Sequence, residues 1–304
     1  MSELVAFTTP PSAPAWKRWM VYSPVARIII YAACFFAVGY AIYHLAEALH
    51  LGGKDASPLM RALVGLVLEF VSIMLVYVIA VRLIERRRVS ELAPRDLIKN
   101  SIVGLIAGFL LLSAMTALVW MMGGYHVLAF DPGAVWLPSL LGIGIATGIA
   151  EETICRGVLY RITEEGLGTW WALAISALFF GGAHLWNPNA TIWSSLAIAI
   201  EAGILLALVY NLTRSLWTVI GLHVAWNFSE GMIFGIPVSG NDVKGFIVSS
   251  STGPDWLTGG KFGIEASAVA VVLSACISAV LLAIAIRRKT IVPPSWVRKR
   301  NAPH

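Results

Sequence analysis

The stretch WLPSLLGIGIATGIAEETICRGVLY, residues 136–160, is apolar enough and long enough to cross a lipid bilayer, yet carries Glu151, Glu152 and Arg156 in its second half. Whether those charges are misplaced depends on whether the segment truly lies in lipid, and the rest of the chain answers that. Of 304 residues, 58% are hydrophobic and 13% charged, where a soluble domain averages about 25% charged. The mean hydropathy is +0.78. Seven further runs of similar character flank the quoted one: Val25–Leu49, Leu59–Ile84, Ser101–Met122, Trp170–Trp186, Thr191–Tyr210, Leu216–Phe234 and Ile264–Ile286. Each covers the hydrocarbon thickness as a helix and is too continuously apolar for a barrel strand. The expected fold is an all-α integral membrane bundle of about eight transmembrane helices, with residues 1–24 a flexible tail, 25–286 the bundle and 287–304 a basic tail.

Basic residues fix the expected orientation. With both termini cytoplasmic, 18 of the 22 lysines and arginines fall on that side, leaving Lys54, Arg61, Lys244 and Lys261 opposite. This asymmetry accounts for the net charge of +5 without nucleic acid; the positives are topological and anionic-lipid contacts. The segment IERRRVSELAPRDLIKN (residues 84–100) reads as a solvated topology anchor, and tryptophans 136, 170, 171 and 217 as interfacial anchors. Cys34, Cys155 and Cys276 sit in three different helices without metal or disulfide spacing. No internal repeat is visible, which weighs against a two-halved transporter. A plasma-membrane location is expected.

Ionisable groups inside the runs are the functional candidates. Glu152 and Arg156 are four apart and can pair, which leaves Glu151, about 100° round the helix, without a local partner. In FFGGAHLWNP, Phe180 and His184 share a face, and Gly181 and Gly182 let a neighbouring helix approach. In HVAWN, His223 and Asn227 present an imidazole and an amide to one side. A carboxylate and an imidazole can position and deprotonate water; a second imidazole and an amide can donate to an oxyanion. Depth counts place Glu151, His223 and Asn227 roughly 10–16 Å from the cytoplasmic ends but His184 near 21 Å, which counts against convergence. Glu69 and Glu201 stand alone and read as packing residues.

EETICR, FGGAH and HVAWN, in this order on separate helices, resemble the EExxxR, FxxxH and HxxxN motifs of the CPBP family of intramembrane proteases, also called the Abi or type II CAAX prenyl endopeptidase family. The resemblance spans about residues 100–234. It implies that Glu151 and His184 activate water, that His223 and Asn227 stabilise the oxyanion, and that Glu152, Arg156 and Phe180 shape the site. The family is described both as metalloproteases and as metal-free glutamate enzymes. Glu151, His184 and His223 make a set that zinc accepts. The implied substrate is a lipidated, CAAX-type or membrane-associated peptide, and a cavity opening to the cytoplasmic leaflet would suit it. The rival reading is a non-catalytic binding or immunity protein, or a proton-coupled transporter, on the same fold.

Overall fold

The computed structural model of the chain describes residues 4–51, 53 and 55–300; Lys54, assigned above to the far side, lies outside them, as does the side chain of Lys299. Eight long helices appear among these residues: α1 (Pro24–Ala48), α2 (Pro58–Glu85), α3 (Leu97–Met121), α4 (136–167), α5 (Thr169–Ala183), α6 (Ile192–Thr213), α7 (216–233) and α8 (Ala268–Arg287). Their starts are chemically marked. Ser23 and Ser57 each precede a proline at the first helical position and accept the N–H of Ala26 and Met60, both at 3.2 Å. Thr191 and Ser194 form a reciprocal capping box, and Ser267 caps α8.

Five segments are long and apolar enough to cross a membrane: α1, α2, the segment Ser90–Met121 that contains α3, α6 and α8. The protein is an integral membrane protein on this ground. The three predicted spans that fall short are those carrying the motifs. Helix α5 has only 15 residues, α4 carries Glu151, Glu152 and Arg156, and α7 is interrupted by His223, Asn227, Ser229 and Glu230. Polarity is tolerable in α7 because protein surrounds it. From Leu216 to Asn227 every residue except Trp217 is buried, and the helix packs against α3, α4 and α6.

The α3–α7 contact sets this enclosure. A Cβ on Gly104 would meet the carbonyl oxygen of Thr218 at 2.1 Å, and one on Gly108 that of Leu222 at 2.2 Å. Gly221 faces back against Ser101 in the same way, at 2.5 Å. Small residues at four-residue spacing thus let the two backbones touch.

Hydrogen bonds gather the first residues of odd-numbered helices and the last residues of even-numbered ones at one end. Arg27 of α1 pairs with Glu85 of α2 at 3.0 Å and Glu165 of α4 at 2.6 Å; Arg161 pairs with both glutamates at 2.9 Å. Arg87 reaches Glu85 and Glu91, each at 2.7 Å. Arg214 pairs with Glu164, which also accepts from Thr169 at 2.7 Å, and Asn211 meets Thr290. We call this the basic end. The reading of residues 84–100 as a solvated anchor therefore holds for Arg86, Arg88 and Arg95, which are exposed, but not for Arg87. Trp217 is likewise no free anchor, since its indole N–H donates to the Ala93 carbonyl at 3.2 Å.

At the opposite end lies an element the helical pattern did not announce. Strand β1 (Tyr125–Phe130), between α3 and α4, pairs antiparallel with β2 (Ile247–Ser251), between α7 and α8, through an irregular register at Val127/Ala129. We call this the sheet end. Because the Gly108 backbone leaves no room for a side chain, Gly108→Val is expected to lower stability by about 1–3 kcal/mol through overpacking. Thermal unfolding in detergent would show a reduced Tm, whereas Gly182→Ala, at a position with no neighbour within 4 Å, should leave Tm unchanged.

Candidate active site

Helix α4 is wound with wide π-type turns over Leu140–Ala146 and Thr153–Tyr160, flanking the regular stretch Thr147–Glu152. Such turns recur at functional sites because they displace side chains from the ordinary helical raster. Here the two glutamates part. Glu152 turns into the core, fully buried, and its Oε1 accepts from Arg156 at 2.9 Å and from the Nδ1 of His223 at 2.8 Å. Glu151 takes the other direction, with its side chain 32% exposed and its Oε2 buried but lacking any hydrogen-bond partner among the described residues.

Arg156 is fully buried; its Nη2 donates to the carbonyls of Ala202 (3.0 Å) and Gly203 (3.1 Å) in α6, while its Nε has no partner among the described residues. Its guanidinium lies 4.7 Å from the centre of the Phe180 ring. Phe180 in turn stands 4.8 Å from the imidazole of His184 and 6.1 Å from that of His223, centre to centre. Glycine permits the approach: a Cβ on Gly181 would meet the Ser195 oxygen of α6 at 2.2 Å, whereas Gly182 faces open space.

Both histidines turn their Nε2 atoms toward Glu151. The separations from Glu151 Oε2 are 4.0 Å for His184 and 3.9 Å for His223. The Nδ1 of His184 lies 2.7 Å from the Phe180 carbonyl, which can only accept, so Nδ1 carries the hydrogen. Asn227 donates to the Ile143 carbonyl at 3.0 Å and lines a small cavity with Phe180, His184, His223, Trp226, Ser239 and Glu265. All seven predicted residues thus come together.

The depth discrepancy of His184 has a simple cause. Helix α4 continues to Leu167 instead of ending at Tyr160, and α5 begins at once beyond Gly168, whose φ of 86° makes the turn. Counted from that turn, Glu151 is about 17 residues back and His184 about 16 on, roughly 25 and 24 Å along their helices. They are level.

Two buried glutamates in this region were not singled out by the sequence pattern. Glu265, just before α8, lies on the cavity wall; it accepts from the Trp226 indole at 3.1 Å and from Ser239 through N at 2.8 Å and Oγ at 2.7 Å. Burial raises its carboxyl above the ordinary range, against the opposing pull of the Ser239 donors and the nearby His184 and His223. Glu230, fully buried on α7, follows Asn227 by three residues, so extending HVAWN by one turn would have found it. No periodic signal marked Glu265. Of the two isolated glutamates, Glu201 is fully buried with neither oxygen hydrogen-bonded, and Glu69, half-buried, stands near enough for the charge of Glu151 to act on it.

The donor set was tested against zinc. Bonds of about 2.1 Å in a tetrahedral site bring donor atoms within about 3.4 Å of one another; the two histidine nitrogens stand 4.0 and 3.9 Å from Glu151 Oε2. Among the described residues no group of three or more His, Cys, Asp or Glu side chains is arranged to hold a metal ion. As placed, Glu151, His184 and His223 do not fit zinc.

Comparison with known proteins gives one match. No curated protein and no solved structure matches the chain. Residues 133–229 match the family model described as "Type II CAAX prenyl endopeptidase Rce1-like", a narrower stretch than the motifs suggested but one that contains Glu151, Glu152, Arg156, Phe180, His184, His223 and Asn227. Over this third of its length, the chain is similar to the protease family that its three motifs resemble.

Proposed function

We propose that this chain is an intramembrane endopeptidase that hydrolyses a peptide bond in a membrane-associated peptide, with Glu151 as general base. The observation that carries the reading is the unpartnered Glu151 Oε2 facing two imidazole nitrogens at 4.0 and 3.9 Å. These separations are too long for direct hydrogen bonds and suit a water between the groups.

In this reading Glu151 Oε2 takes a proton from that water as its oxygen attacks the peptide carbonyl carbon. The C–N bond then breaks, and Glu151 returns the proton to the leaving amine; the second water proton stays with the new carboxyl product. His184, oriented through its Nδ1 hydrogen, presents Nε2 to the same water. Oxyanion charge falls to His223 and Asn227. His223, held through Nδ1 by the Glu152 carboxylate, serves in this reading as an Nε2–H donor, and Asn227 has one amide hydrogen beyond the one given to Ile143. Arg156 holds Glu152 in place. No step is routed through a metal.

Glu151→Gln is expected to lower kcat by about 10²–10⁴-fold, and Asn227→Ala by about 10²–10³-fold, in cleavage of a farnesylated CAAX-type peptide and an unlipidated peptide library by protein reconstituted in liposomes. A proton-coupled transporter would lose function with the first change and tolerate the second. A further measurement concerns the metal: cleavage should survive treatment with a zinc chelator, and loss that added zinc restores would replace the glutamate-only mechanism with a zinc-dependent one.

A further inference from the structure

Resting on that protease reading, we propose that substrate reaches the Glu151, His184 and His223 group from the sheet end, past the turn Val238–Asn241. The scissile bond would then be presented on the face of the membrane opposite the basic end.

The two ends differ in what lies between the site and solvent. Toward the basic end, Arg156, Tyr160, Ile162 and Tyr210 are buried, and beyond them stands the ion-paired layer of Arg27, Glu85, Arg161 and Glu165. A cavity of about 370 Å³ exists at that end, but it stops at Arg27 and Glu165, the latter about 14 residues or roughly 21 Å along α4 from Glu151. Breaking a buried pair of this kind to admit a peptide is costly, typically 3–5 kcal/mol.

Toward the sheet end, α5 stops beside the site. His184 is the last residue before the helix breaks, and Asn187, three residues on, donates to the Ser239 carbonyl at 3.1 Å. Two cavities of about 520 and 620 Å³ open there, sharing Asn189, Gly260 and Lys261. A single turn separates the first of them from the site. Ser239 lines the site cavity, while Pro237 and Asp242 on either side of it line the 520 Å³ cavity.

The turn is held by uncharged donors. Val238 and Asn241 exchange two backbone hydrogen bonds at 2.9 Å, the amides of Asn187 and Asn189 donate to the carbonyls of Ser239 (3.1 Å) and Gly240 (3.3 Å), and the Gly240 N–H donates to the Phe262 carbonyl at 2.6 Å. Ser239 also gives its N–H and hydroxyl to Glu265, and it sits at φ 46°, in the left-handed region that a serine occupies at a cost. Releasing the turn from Glu265, Asn187, Asn189 and Phe262 would open the site cavity into the 520 Å³ space without breaking the ion-paired layer.

The positive-inside asymmetry makes the basic end cytoplasmic. The substrate class is therefore a secreted peptide, or the outer-face segment of a membrane-anchored one, and not the prenylated C-terminus of a cytosolic protein.

The test uses two variants of the full chain that each add one cysteine, Ser250→Cys in the 520 Å³ cavity and Arg95→Cys at the basic end, in sealed right-side-out vesicles treated with a bulky membrane-impermeant maleimide. Wild type reports any reaction of the three native cysteines. Ser250→Cys should be labelled from outside and Arg95→Cys only after permeabilisation. Labelling at 250 should lower peptide cleavage at least tenfold, and labelling at 95 should leave it within twofold. Reversed labelling, or a fully labelled Ser250→Cys protein that cleaves normally, overturns the proposal. A wild type that cleaves no peptide from either face sinks the protease reading itself, a failure the untreated control separates from the other two.

Discussion

Arg156 is the group on which the rest of the site depends. A fully buried guanidinium in a membrane protein needs protein acceptors for its hydrogens, and Arg156 finds them on two helices. It fixes Glu152 on its own helix and takes the Ala202 and Gly203 carbonyls from α6. Through Glu152 it fixes His223 on α7, and its flat face rests on Phe180 of α5. Each of these partners then positions another: Phe180 offers its carbonyl to His184, and His223 turns its free nitrogen to Glu151. The charge that looks misplaced in an apolar run is what joins four helices at one level.

The same rule operates on a larger scale at the basic end. Burying Arg27, Glu85, Arg161 and Glu165 would be prohibitive singly, so the helix ends exchange charges until each has a partner. Such a layer ties α1, α2 and α4 together and closes the bundle. At the sheet end the loops use neutral donors, strands and glycine turns, which release more easily. The bundle is thus tied by buried charge pairs on one side of the site and by uncharged donors on the other.

Much of this was legible in the sequence because it follows from spacing. The Glu152–Arg156 pair and the isolation of Glu151 come from the helical repeat, and the long helices other than α4 fall within a few residues of the apolar runs. What spacing cannot show is where an apolar run continues through polar residues. Arg161, Glu164 and Glu165 look like the end of a span, yet they are the last turn of α4, paired with residues 50 to 138 positions away. That extension removes the apparent depth error of His184. Contacts between distant loops are equally silent in a periodic pattern, which is why β1, β2 and Glu265 come only from the fold.

The state of Glu151 carries the last step. A buried carboxylate oxygen without a partner costs about 1–3 kcal/mol, and Glu151 Oε2 carries that cost. The Glu151 oxygen sits about 4 Å from two imidazole nitrogens, a spacing that neither hydrogen bonds nor a tetrahedral metal would select. A structural ion pair would close that gap. A site that must admit a water and a peptide carbonyl has to keep it open, and the arginine-centred scaffold around it is rigid enough to do so.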